Sequence, residues 1–352
     1  MKPARDSWLN PALSLPLCFV AGSAFSWLRL PLPWMLGPLS VMALCNFAGA
    51  GLRAPRGARE SGQVIIGTAL GLYFTPLVGR QVMSYWSLLL VAGVFAIVLG
   101  ILGGAILSRL AGVDRCTAFF ASVPGGANEM TLLGERYGAR PDRIALAQSL
   151  RILIVVVAVP FALTYSGAHG VDVYQPADVQ LHWQRLGLLL FLSAAAGWLV
   201  SRTRLPNAFM FGPLAVTIAL TVGDLHFSSV PGWLSNAAQL AIGCTLGSRF
   251  ERQSLRSAPR YVTAVLASVF AGIVIAAAFG ALLAWGAGLS IATWVLATAP
   301  GGLAEMCITA KVLQLGVPLV TAAHVTRVFL LLVSTGPVYR AALALGGDVR
   351  IK

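Results

Sequence analysis

The chain has 352 residues, of which 57% are hydrophobic and only 11% charged, with a formal net charge of +13. Soluble domains carry roughly 25% charged residues, so this composition suits lipid as the solvent. The basic excess does not point to nucleic acid, because no stretch is long and polar enough to form a module with clustered basic residues.

The predicted elements run as follows. An apolar run at 9–28 follows Lys2 and Arg5; it lacks a small-residue cleavage site and is expected to stay as a helix. Further apolar spans fall at 34–52, 61–79 and 84–108, then a broken segment at 114–137 and a span at 144–166. A linker at 167–184, with His169, Asp172, Asp178 and His182, leads to spans at 186–201, 208–224, 233–249 and 261–286. A second broken segment at 290–314 and a last span at 318–339 complete the series. Many windows exceed the roughly 18 apolar residues of a membrane-spanning helix, and the alternation of a membrane barrel is absent.

The two halves share four colinear blocks. Leu30 to Leu39 matches Leu205 to Leu214 at an offset of 175, and Gln63 to Gly71 matches Gln239 to Gly247 at 176. Pro124-Gly125-Gly126-Ala127-Asn128-Glu129-Met130 matches Pro300-Gly301-Gly302-Leu303-Ala304-Glu305-Met306, again at 176. Gln148, Arg151 and Ile152 fall opposite His324, Arg327 and Val328 at the same offset. Such spacing marks an internal duplication.

The Pro-Gly-Gly stretches interrupt their segments, since proline lacks a donor and glycine is permissive. If each interrupted segment turns back instead of crossing, 19 of the 25 basic residues face the cytoplasm with the N-terminus inside. They include Arg53, Arg56, Arg59, Arg136, Arg140, Arg143, Arg249, Arg252, Arg256 and Arg260, together with Lys2, Arg5, Arg204, Arg350 and Lys352 near the ends of spans. Crossing segments would put the Arg136 and Arg249 groups outside, against the positive-inside rule. The expected fold is therefore all-α and integral to the membrane: about ten transmembrane helices plus two re-entrant hairpins. Five spans per half is an odd number, which makes the repeats inverted, as in many secondary transporters. The first repeat covers 9–166, an external loop 167–184, and the second repeat 185–345.

The motif carries the candidate site. A re-entrant hairpin exposes backbone groups at membrane depth, tolerable only beside protein or a watery cavity. Gly125, Gly126, Gly301 and Gly302 at the tips permit close approach of the other repeat or a substrate. The half-helix that follows offers free N–H groups and a positive dipole end. Glu129 and Glu305 lie in its first turn, where an acid can cap the helix or serve as a proton or sodium site. Arg151 and Arg327, each 22 residues after the motif glutamate, lie within apolar spans. Each needs a carboxylate, a backbone carbonyl end or an anionic substrate. Gln148 and His324 stand one turn earlier on the same face; His324 can shuttle protons or sit as a buried polar group. Gln63 and Gln239 share faces with glycines four apart, a close-packing device, and are secondary candidates for a substrate site. Asn128 faces Ala304 in the other copy, so any role for it is asymmetric. The five cysteines have no metal or redox spacing, no catalytic or metal motif is present, and no cofactor and no enzymatic activity are expected.

The duplicated motif, the Gly-x-x-x-Gly blocks before it and the arginine of the following span resemble the bacterial AbrB membrane-protein family over roughly 11–345. That family is distinct from the small DNA-binding regulator of the same name. The resemblance implies a multi-pass protein of the bacterial inner (cytoplasmic) membrane with both termini cytoplasmic. Members are labelled as ammonia monooxygenase or as regulators of gene expression; no metal ligands support the first label here and no DNA-binding module the second. The leading expectation is a transporter of a small, anionic solute coupled to H⁺ or Na⁺ through Glu129 and Glu305. The alternatives are a membrane regulator acting through a partner and, more remotely, a membrane monooxygenase. Expected partners are the small-molecule or ion substrate and the bilayer, not nucleic acid, with a homo-oligomer as a further option.

Overall fold

In lipid every backbone polar group must pair within the protein, so long apolar runs fold as helices. A computed structural model describes residues 9–168, 180–203, 205–225, 227–250 and 258–346, and the regular structure among them is fifteen helices and no strand. The expectations for Lys2, Arg5, His169, Asp172, Asp178, Arg204, Arg252, Arg256, Arg350 and Lys352 lie outside the described residues.

Before the linker come α1 (Leu9–Trp27), α2 (Pro33–Ala48), α3 (Ala58–Gly71), α4 (Pro76–Ser84), α5 (Trp86–Ala111), α6 (Arg115–Ser122), α7 (Ala127–Arg136) and α8 (Pro141–Tyr165). After it come α9 (Trp183–Ser201), α10 (Ala208–Val222), α11 (Gly232–Gly247), α12 (Pro259–Ala287), α13 (Ile291–Thr298), α14 (Leu303–Leu313) and α15 (Val317–Gly346). Helices α5, α8, α9, α12 and α15 are long and apolar enough to cross a membrane. Large apolar side chains such as Phe19, Phe191, Val274, Trp285 and Val333 are exposed on them and on α1, more apolar surface than a water-soluble chain tolerates. These features make a multi-pass membrane protein.

The helices lie along the predicted segments, but of the ten predicted spans only five are single helices long and apolar enough to cross a membrane. Helices α2, α10 and α11, at 16, 15 and 16 residues, are shorter, and one predicted span is broken. The predicted span 61–79 ends at Gly71, and the chain bends by 91° before continuing as α4. Pro76 explains the break: the residue before a proline is driven out of the helical region, while proline itself suits a first helical position. Counted as one bent span, α3 and α4 give a sixth candidate crossing.

The chain divides into two compact units. One comprises Met1–Gln81, His169–Ser254 and Cys307–Pro318. Within it α1 packs on α2 and α9 on α10, while α3 packs on α10 and α11 on α2. Glycines set these approaches. A Cβ on Gly67 would lie 2.7 Å from the Met210 carbonyl oxygen, and one on Gly247 2.6 Å from that of Leu39. Pro31–Leu32 and Pro206–Asn207 enter α2 and α10 through left-handed residues, Leu32 at φ 46° and Asn207 at φ 51°. The Asn46 amide secures the loop after α2, donating to the Leu52 carbonyl at 3.0 Å and accepting from its N–H at 2.6 Å.

The other unit comprises Val82–Ala168, Leu255–Met306 and Leu319–Lys352. Here α5 packs on α12, with Phe95 and Phe279 stacked at 3.9 Å between ring centroids. Helix α6 packs on α5 and α8, α7 on α8, and α13 on α12. Every primary site residue of the sequence reading lies in this unit; Gln63 and Gln239 lie in the other.

Candidate functional site

The first broken segment is a helical hairpin whose two ends meet. Asp114 caps α6 by accepting the Thr117 N–H at 2.7 Å. At that same end, Arg140 N–H donates to Thr117 Oγ1 at 2.9 Å, and Cys116 Sγ lies 3.4 Å from the Tyr137 carbonyl oxygen. The start of α6 and the chain just past α7 are therefore neighbours, and the tip at 123–126 is the far end. Phe120 stacks on Tyr137 at 5.6 Å, and Tyr339 of α15 closes on both rings at 5.0 and 5.1 Å. Such aromatic contacts add to the area they bury; this cluster was not anticipated from sequence, where the rings are scattered over more than 200 positions.

The geometry of the tip accounts for the motif residue by residue. Val123 is extended, as a residue before proline must be, and so α6 stops. A Cβ on Gly125 would lie 2.8–2.9 Å from the Met130 side chain, and one on Gly126 would overlap the Glu129 carboxylate. The first glycine therefore makes room for the methionine five residues on. The second makes room for the glutamate to fold back over the helix start, where its charge meets the positive end of α7. The second tip repeats this: a Cβ on Gly301 would lie 2.7–2.8 Å from Met306, and one on Gly302 would overlap the Glu305 carboxylate. Space expected to admit a second repeat or a substrate is thus filled by the hairpin's own side chains. The copies differ in exposure: Glu305 is 4% exposed, whereas Glu129 is half-buried and Asn128 exposed.

Gln148 and Arg151 on α8 receive the end of α6. The Gln148 amide is fully buried and donates to the carbonyls of Phe120 at 2.9 Å, Ala121 at 3.3 Å and Val123 at 2.9 Å. The Phe120 carbonyl would ordinarily accept from residue 124, which is proline and has no N–H; Gln148 supplies the missing donor. Arg151, 5% exposed, donates Nη1–H to the Val123 carbonyl at 2.9 Å and Nη2–H to that of Gly125 at 3.1 Å. At the second tip Arg327 donates to the Ala299 carbonyl at 2.7 Å and the Gly301 carbonyl at 2.5 Å. Of the three partners expected for an arginine at this depth, the carbonyl end is the one seen for both. His324 is fully buried, with Nδ1 3.0 Å from the Val320 carbonyl oxygen, which assigns the ring proton to Nδ1.

Both broken segments border one cavity. Ala121 and Ser122 of the first, Pro300 of the second tip, and Arg151 line it with Ser268, Gly103 and aliphatic side chains of α5 and α12. Its volume is about 30 Å³, room for about two waters. Arg151 is close enough to Arg327 and Glu305 to feel their charges. Ser122 and Ser268 were missed in the sequence because single serines in apolar runs carry no distinguishing spacing. Gln63 donates to Asn207 Oδ1 at 3.3 Å, as does Arg59, and Gln239 is buried; neither glutamine belongs to the unit that holds the cavity.

Comparison with known proteins places the chain in a family. The family model described as "Transition state regulatory protein AbrB" matches residues 34–342. The chain is 28% identical to "Putative regulator AbrB" of Escherichia coli (strain K12), over 91% of this chain and 92% of that protein. It is 27% identical to "Uncharacterized protein YhjN" of Bacillus subtilis (strain 168), over 99% and 96% respectively. On the extent of the family match, the chain belongs to the AbrB family.

Proposed function

We propose that the protein is a secondary transporter of a small, anionic solute in the bacterial inner membrane, with both termini cytoplasmic. In this reading ten spans and two re-entrant hairpins form two inverted repeats, and transport is coupled to H⁺ or Na⁺ through Glu129 and Glu305. The observation that carries it is the cavity bordered by both hairpins, with a buried arginine on its wall. Broken helices meeting at a midplane site are the working part of inverted-repeat transporters. The closed first hairpin and the matching arginine bonds, 176 residues apart, support the duplicated architecture. At about 30 Å³ the cavity is too small for an organic solute, so in this reading the elements around it must move apart to admit one.

The test is uptake of radiolabelled organic anions into proteoliposomes under an imposed proton or sodium gradient, after a thermal-shift screen has selected candidates. Gradient-driven uptake, abolished by Glu129→Gln combined with Glu305→Gln, is expected. Full uptake by that double variant refutes the coupling role. The relative's name favours one other reading, a regulator acting through a partner. A stable partner recovered on the cytoplasmic loops, with no flux of any solute, would support that alternative.

A further inference from the structure

At the tip of each broken segment an arginine donates to two backbone carbonyls. In transporters built from broken helices, unwound carbonyls and the C-terminal ends of half-helices coordinate the coupling cation. Here those groups are the Val123 and Gly125 carbonyls at one tip and the Ala299 and Gly301 carbonyls at the other. All four accept from a guanidinium. The Val123 oxygen also accepts from Gln148 and from the Gly125 N–H at 2.8 Å, so its lone pairs are fully used. A guanidinium keeps its charge at any physiological pH and presents donors in a rigid fork. A sodium ion entering either tip would have to displace those donors and approach a fixed positive charge.

We infer that Arg151 and Arg327 are tethered substitutes for two sodium ions, which makes the protein sodium-independent. The inference rests on the transporter reading and deepens it: of the two coupling ions considered, only the proton remains. The paired arrangement gives this its force, because the same fork on the same two carbonyl positions recurs 176 residues later. A single arginine so placed could be a local cap; two place a permanent cation at each tip.

The experiment uses the purified full-length protein in detergent and needs no substrate. Apparent melting temperature is compared in sodium chloride and choline chloride at equal ionic strength. The wild-type protein should melt at the same temperature in both salts. Arg327→Ala, and separately Arg151→Ala, should melt lower in choline and recover by a few degrees in sodium chloride, because a ligand that binds only the folded state raises its stability. Arg327→Lys keeps a tethered cation and should stay indifferent to sodium. Sodium-specific stabilisation of the wild type, or alanine variants that gain no sodium response, overturns the inference. If the alanine variants do not fold, the wild type and the lysine variant still decide it, since sodium-specific stabilisation of either overturns it. Sodium-driven flux would likewise sink it while leaving the transporter reading intact. A protein that moves no solute defeats the transporter reading and leaves the salt comparison unchanged.

Discussion

Gly302→Ala tests the explanation of the Pro-Gly-Gly-x-x-Glu-Met motif most sharply. The added methyl carbon would overlap Glu305 Oε2 and lie 2.8 Å from its Cδ, whereas real Cβ contacts stay beyond 3.0 Å. The carboxylate must therefore retreat or leave the helix start. Glu305 is 4% exposed, so it has nowhere to go without displacing packed neighbours. Overpacking a buried site costs about 1–3 kcal/mol, and loss of the favourable helix-end charge up to about 1–2 kcal/mol more. We expect a total of roughly 2–4 kcal/mol. Gly126→Ala makes the same overlap with Glu129, but that side chain is only half-buried and has room to swing outward. Its cost should be nearer 1 kcal/mol, about the worth of a typical N-terminal cap. The assay is thermal unfolding in detergent by tryptophan fluorescence, with a double-mutant cycle through Glu305→Ala. If the geometry is right, Gly302→Ala costs far less on the Glu305→Ala background than alone, since the colliding group has gone. Strict additivity of the two substitutions would refute the fold-back of the carboxylate and with it the explanation of the second glycine.

Gln148→Leu removes the donor that stands in for the missing N–H of Pro124 and leaves the Phe120 and Ala121 carbonyls short of a partner. At about 1–3 kcal/mol for each unsatisfied buried group, the variant should melt well below the wild type. Gln148→His, which introduces the residue type found at the matching position 324, should recover part of the loss. Asn46→Ala loses both bonds to Leu52 and should cost about 1–3 kcal/mol, read as a lower melting temperature. Cysteines placed at Arg56 and Arg140, on a background with the five native cysteines replaced, should both react with a membrane-impermeant thiol reagent only after the cytoplasmic face is opened. Labelling of the second from outside would mean that the 114–137 segment crosses the membrane.

The positions of the helices were legible because long apolar runs fold as helices in lipid, although only five of the ten predicted spans reach crossing length as single helices. The bend after Gly71 was not, because Tyr73, Phe74 and Thr75 keep the segment apolar enough to read as one run while Pro76 redirects the backbone. At the site, internal repetition marked out the motif and the arginines without any knowledge of their contacts. What each does depends on distances that spacing cannot give. Gly126 and Glu129 are three residues apart in any helix, yet only the extended residues before α7 bring the carboxylate over the glycine. Gln148 and Pro124 are 24 positions apart, so the exchange of donors between them leaves no trace in local sequence.

The crossed pairing of α3 with α10 and of α11 with α2 bears on how the chain is made. Gly67 and Gly71 on α3 are shaped to receive Met210, Pro213 and Thr217, none of which has been synthesised when α3 enters the bilayer. At about 5–20 residues per second, the ribosome needs roughly 7–30 s to deliver α10. During that interval α3 offers the lipid a face of glycines and Gln63 with no complement. The first half must therefore be held, by the insertion machinery or by a transient neighbour, until the second half arrives, and an isolated first half should be degraded rather than accumulate.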